Sequence, residues 1–279
     1  MGYKSVSIIV TDQATDAAPL ASARAVADRC DGHLDVHCLG VDPARYEPLP
    51  AGSAAIIMET GVAEARAQAG ELVDWVNAII PQDIPNVAVE GVIMPHLGLD
   101  SGIGRIARYS DLIVCAKPYG KGATPLQVSV LEAALFGTRA PVLVCNSDAE
   151  APVNPRRILL AWDESAEALS AMRYAMPLMQ AADRVDVVMV DPPSHSPERS
   201  DPGGAVTLML ARHGVRAEVS ILSRTLPRVS ECLSRFAKEH NCDMIVMGAY
   251  GHSRLREAVL GGPTRDMLEQ SEIPLFMAH

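Results

Sequence analysis

Apolar residues in this chain follow two alternating patterns: short runs of Val, Ile and Leu, and longer stretches with helical periodicity. The short runs predict strands near residues 4–11, 33–40, 87–94, 111–116 and 141–145, then near 157–162, 184–190, 215–222, 243–247 and 274–278. The longer stretches predict helices near 16–29, 53–80, 100–109 and 124–136, and again near 165–180, 202–213, 227–240 and 254–270. Strands alternating with helices imply right-handed crossovers and parallel sheets covered by helices.

The pattern is written twice. Ser7-Ile-Ile-Val-Thr-Asp12 and Ile158-Leu-Leu-Ala-Trp-Asp163 both end a strand on an acid. Val36-His-Cys-Leu-Gly-Val-Asp-Pro43 echoes Val185-Asp-Val-Val-Met-Val-Asp-Pro192, and Ser110-Asp-Leu-Ile-Val-Cys115 echoes Cys242-Asp-Met-Ile-Val-Met247. Ala140-Pro-Val-Leu-Val-Cys145 matches Ile273-Pro-Leu-Phe-Met-Ala278. Such order-preserving self-similarity is the mark of an internal repeat. It divides the chain into domains at 1–146 and 156–279, joined by a short linker of turn formers. The halves differ at 51–80, an Ala- and Glu-rich helical pattern read as a longer crossover, with a flap or partner surface as the alternatives.

Composition narrows the class. Aromatics are 4% of the chain, so Ala, Val, Leu, Ile and Met must fill the core. A net charge of −10 argues against nucleic-acid or anionic-membrane surfaces, while leaving room for a local phosphate site made of backbone N–H groups. The six cysteines contain no CxxC pair and read as reduced, buried thiols. No apolar run has transmembrane length, and a cytoplasmic protein is expected.

Candidate chemistry gathers after the strand at 243–247. Gly248 and Gly251 allow a sharp turn and close approach of a ligand to main-chain N–H groups. Gly261 and Gly262 then interrupt the helical pattern, and Pro263-Thr264 starts a new helix whose N-terminus favours an anion. In an open parallel sheet, ligands bind beyond the carboxyl ends of the strands where the winding reverses. Asp163 and Gly248 both lie at such ends.

This arrangement resembles the universal stress protein family over nearly the whole chain. Its nucleotide-binding members carry G-x2-G-x9-G-[S/T] after the fourth strand, and Gly248, Gly251 and Gly261 keep that spacing. The resemblance implies two Rossmann-like or flavodoxin-like α/β domains, each a five-stranded parallel sheet of order 3-2-1-4-5. It implies that Asp163 holds adenine or ribose and Val190 the adenine edge. Phosphates would fall to Gly248, Gly251, His252, Ser253, Gly261, Gly262, Pro263 and Thr264. The ligand so implied is ATP, with or without magnesium, or a related adenine nucleotide. Gly262 departs from the family's Ser or Thr, and Thr264 offers a partial replacement. In the first half Ala116 and Tyr119 stand opposite Gly248 and Gly251, so that half reads as degenerate, a scaffold or interaction surface.

The expected role is a nucleotide-binding stress regulator with an unidentified protein partner. A ligand-independent interaction module and a slow ATPase are the alternatives, and no catalytic residue is assigned. Gly120-Lys-Gly-Ala-Thr124 lacks phosphate-loop spacing, and His33, Asp35 and His37 are read as structural rather than metal-binding. Trp162 is expected either to stack on a bound base or to fill the core. The apolar last strands of the halves, ending at Cys145 and Ala278, are expected to pair across halves as a pseudo-dimer or between chains as a homodimer.

Overall fold

The computed structural model describes residues 2–42, 54–81, 84–192, 201–251 and 262–279, with backbone alone for 54–58. The chain forms two compact units, one of residues 2–140 with 147–150, the other of 141–146 with 151–279. Both are α/β units, each with a mostly parallel sheet flanked by helices.

In the N-terminal unit β1 (Ser5–Val10), β2 (His33–Asp42), β3 (Val87–Pro95) and β4 (Leu112–Ala116) run parallel in the order β3-β2-β1-β4. Their covering helices are α1 (Gln13–Arg29), α2 (Ala54–Ile79), α3 (Leu99–Ile106) and α4 (Pro125–Thr138). All of β4 is buried and so is β1 from Val6 onward, which is why these strands read as unbroken apolar runs. The 51–80 pattern contributes α2, a long crossover that packs on β2 and β3 through Ala65, Ala69, Leu72 and Val76, one stripe at helical spacing. A Cβ at Gly40 would overlap the Ala65 carbonyl, so this helix approaches β2 at a distance only glycine allows.

The C-terminal unit carries β5 (Val142–Cys145), β6 (Arg157–Ala161), β7 (Arg184–Val190), β8 (Ala217–Leu222), β9 (Met244–Gly248) and β10 (Leu275–Ala278). Its strands lie in the order β5-β10-β9-β6-β7-β8. The second half thus supplies five parallel strands in the expected order, counted within that half as 5-4-1-2-3. The last strand of the first half, β5, belongs to this unit and runs antiparallel to β10, Leu143 opposite Phe276. The helices are α5 (Ala166–Tyr174), α6 (Met176–Ala181), α7 (Gly204–Arg212), α8 (Val229–Glu239) and α9 (Pro263–Gln270). One helix was expected over 165–180. The chain instead breaks at Ala175, because Pro177 has no N–H for the Arg173 carbonyl and restarts the helix as α6. Of the helix expected over 254–270, the described part is α9.

On β6 and β7, Asp186 is fully buried and bonded to the guanidinium groups of Arg157 and Arg184. Burial alone would raise its carboxyl, but those hydrogen bonds and charges outweigh it and hold Asp186 below the ordinary range. Five cysteines are buried, Cys30 is half-buried, and none forms a disulfide. His33 faces Asp35 at 3.4 Å and His37 bonds Glu90 at 2.8 Å. Among the described residues no group of three His, Cys, Asp or Glu could hold a metal ion, and no helix is long and apolar enough to cross a membrane.

Candidate functional site

Within the C-terminal unit the chain leaves β6 toward β7 on one side and reaches β9 on the other, so the winding reverses beside β6. A cavity of about 250 Å³ opens at the carboxyl ends of these strands. Ala161, Trp162 and Asp163 come from the end of β6, Val188 and Val190 from β7, and Met247 and Gly248 from β9. Val229 and Leu233 of α8 close one side, Pro263 and Thr264 of α9 another, and Ser165 and Glu167 of α5 a third.

Three helix N-terminal ends therefore face one apolar-walled cavity, an arrangement that favours a partly anionic ligand. The starts of the helices differ. Ser165 caps α5, its Oγ accepting from Ala168 N at 3.1 Å. At α9 the cap residue is Gly262, whose extended backbone (φ −162°) offers no side chain to the first turn. Gly262 thus leaves that helix end uncapped by its own side chain.

Asp163 stands exposed at the rim, one oxygen accepting from Ser165 N at 3.0 Å. The matching acid of the first half is placed differently. Asp12 is itself the cap of α1, accepting from Ala14 N and Thr15 N at 2.9 and 3.0 Å. In the second half Ser165 takes over the capping, which leaves Asp163 available at the cavity mouth.

At the matching end of β1 in the first half, side chains bond one another. Asp16, 1% exposed, accepts from Thr11 N, Thr11 Oγ1 and Asp12 N at 2.6, 3.1 and 2.9 Å. Gln127 Nε2 donates to Thr11 Oγ1 and Thr15 Oγ1, and Gln127 Oε1 accepts from Thr124 N and Oγ1. Thr124 in turn caps α4, so the segment around Gly120 and Lys121 ends in a capping box.

Of the residues expected at the site, Asp163, Val190, Gly248, Gly251, Pro263 and Thr264 all line the cavity, and Gly262 precedes α9 beside it. His252, Ser253 and Gly261 lie outside the described residues. A Cβ on Gly248 would lie 2.6 Å from Ala168 N, so this glycine serves the approach of β9 to α5. Among the described residues of the loop, Tyr250 takes a positive backbone angle (φ 57°), a position the glycine spacing does not single out. Thr264 is 3% exposed, and its hydroxyl accepts from Tyr250 N at 3.0 Å, fastening the loop to α9. Glu167, Val229 and Leu233 were also missed, because they belong to helices far in sequence from the glycine motif.

Residues 154–279 match the model of the universal stress protein family. A universal stress protein of Synechocystis sp. is 28% identical over 121 residues, which is 43% of this chain and 41% of that protein. The match therefore spans well under half of that relative's length. A crystal structure of a universal stress protein from Archaeoglobus fulgidus superposes with a TM-score of 0.64 at 16% identity, covering 98% of this chain and 95% of that one. A candidate universal stress protein from Pseudomonas aeruginosa gives 0.61 at 16% identity, covering 99% and 93%. At such identities the two structures speak for the fold. The family match places a universal stress protein domain in the C-terminal half.

Proposed function

We propose that the C-terminal half binds an adenine nucleotide in the 250 Å³ cavity, and that the bound state governs a regulatory surface in a stress response. The observation that carries this reading is the convergence of Asp163, Val190, Gly248, Gly251, Pro263 and Thr264 on one cavity at the reversal of the sheet. They come from four separate segments of sequence. The chemistry fits: Val188, Val190, Val229 and Leu233 suit the faces of a base, and Asp163 can accept from an amine or a ribose hydroxyl. The α9 end suits phosphates. Magnesium, where present, would arrive with the phosphates, since the described residues build no metal cluster.

Both halves are proposed as copies of one ancestral unit, the first retained as scaffold, and one nucleotide per chain is expected. The network of Asp16, Thr11, Gln127 and Thr124 supports that stoichiometry, its side chains bonding one another at the matching end of β1. We also propose a cytoplasmic location and self-association of the chain.

Mass spectrometry of the purified protein, native and then denatured, tests the reading together with thermal melting in added ATP or AMP. We expect about one adenine nucleotide per chain, or a ligand-induced rise in melting temperature that Asp163→Ala and Gly251→Leu each abolish. A Cβ at Gly251 would already sit 3.1 Å from Glu167 Oε2, so a larger side chain must push the Glu167 carboxylate aside, enter the cavity or displace the loop. No co-purified nucleotide and no thermal response would move the assignment to a ligand-independent interaction module.

A further inference from the structure

Asp163 and Glu167 line the cavity, and Asp266 stands in the first turn of α9. An anionic ligand entering there meets the two carboxylates of the wall, with that of Asp266 one turn beyond Pro263, while no lysine or arginine is among the described walls. One offset stands just outside them. Arg228 immediately precedes α8, whose first residue Val229 is a wall of the cavity. Its guanidinium reaches across to α9, Nη1 donating to Asp266 Oδ1 at 3.1 Å. The pair thus joins the two helix starts that bound the mouth.

This geometry leaves the arginine with spare capacity. Its side chain is 52% exposed, and that of Asp266 is 20% exposed. A guanidinium offers five N–H donors in a planar fork, and only the one to Asp266 is engaged with a described residue. The fork can hold a carboxylate on one side and a phosphate oxygen on the other. Nothing about the base or the ribose would require it.

We propose that Arg228 makes this site selective for nucleoside di- and triphosphates over monophosphates, by donating to an outer phosphate while still bound to Asp266. The inference rests on the nucleotide reading above and adds phosphate-chain length as the property that is read. The ion pair then holds the arginine in place before the ligand arrives, which lowers the cost of ordering a long side chain on binding.

Calorimetric titration of the full chain with ATP, ADP and AMP tests this, comparing wild type, Arg228→Gln and Arg235→Gln. Arg235 lies on the same helix but is engaged with Thr225 and Glu239, so it controls for loss of charge on α8. Arg228→Gln is expected to weaken ATP about tenfold while AMP affinity changes less than about twofold. The salt dependence of ATP binding should flatten in the same variant. Arg228→Lys should restore part of the preference, having the charge without the fork. Equal weakening of ATP and AMP would mean a structural role and overturn the proposal, as would unchanged affinity for both. If wild type binds none of the three, the nucleotide reading itself fails. If it binds all three and Arg228→Gln changes nothing, only the role of Arg228 fails.

Discussion

Asp16 is sealed beneath the loop that follows β1, and burial pushes its carboxyl up to about 6 from an ordinary value of 3.8. Hydrogen bonds from Thr11 and Asp12 oppose that rise without cancelling it. The sign of the pH dependence follows. Between pH 4 and 6 the folded protein retains a proton that the unfolded chain has released, so this group's contribution is full below about pH 4 and is lost as pH rises through 6. Asp16→Asn should therefore stabilise the protein relative to wild type as pH rises from 4 to 7, by about 2–3 kcal/mol at the upper end. Denaturant titrations across that range check it, and parallel curves for the two proteins would refute it. In the second half, Thr264 presents the complementary case, a buried hydroxyl receiving the Tyr250 N–H. Thr264→Val keeps the shape but removes this acceptor, which should cost about 1–2 kcal/mol, whereas Thr264→Ser should recover most of it. Thermal melts of the two variants without ligand separate this structural role from any role in binding.

At the scale of elements, packing decides what a glycine is for. Gly40 and Gly70 stand on the two partners of the β2–α2 contact, and sequence alone gives no means of ranking them. In the structure a Cβ at Gly40 would overlap the Ala65 carbonyl, while at Gly70, exposed on α2, it would meet nothing within 4 Å. Gly40→Ala should destabilise by about 2–3 kcal/mol, since backbone must shift to admit the methyl. Gly70→Ala should stabilise by about 0.5–1 kcal/mol through helix propensity. Opposite shifts in urea midpoint are the expected outcome, and shifts of the same sign would contradict the described contact. The same distinction sets how much of the fold and site was legible beforehand. Unbroken apolar strands such as Leu112–Ala116 announce themselves, because burial on both faces leaves no polar position. Asp163, Gly248 and Gly251, which line the cavity, were legible because strand ends and glycine spacing are local signals, whereas Val190 was named only through the family resemblance. Val229, Leu233 and Glu167 were not, since a helix residue near a site looks like any other amphipathic position until the sheet brings it there. The strain at Tyr250 was hidden for another reason: glycines on either side suggested where the turn should fall, and the backbone placed it between them.

At the scale of the molecule, the compact unit that holds the cavity is larger than the second half of the sequence. It takes in β5, whose Val142, Leu143 and Val144 stand opposite Met277, Phe276 and Leu275 of β10. Those β10 side chains are at most 2% exposed, and the antiparallel partner also occupies hydrogen-bonding groups that would otherwise form a sheet edge. An apolar strand with an open edge is a template for pairing with another chain. A fragment beginning at residue 151 would present such an edge, because residues 141–146 are missing from it while β9, β6, β7 and β8 remain in place on the other side of β10. Size-exclusion chromatography with light scattering should find that fragment dimeric or larger, with β10 pairing to its counterpart. A fragment of residues 141–279, which keeps β5 through its own linker, should melt at a higher temperature than the shorter one. If both fragments are monomers with the same melting temperature, β5 is dispensable to the unit. In that case the pairing of β5 with β10 would follow from the connectivity of the chain, and the stability of the cavity-bearing unit would have to come from β6–β10 and their helices alone.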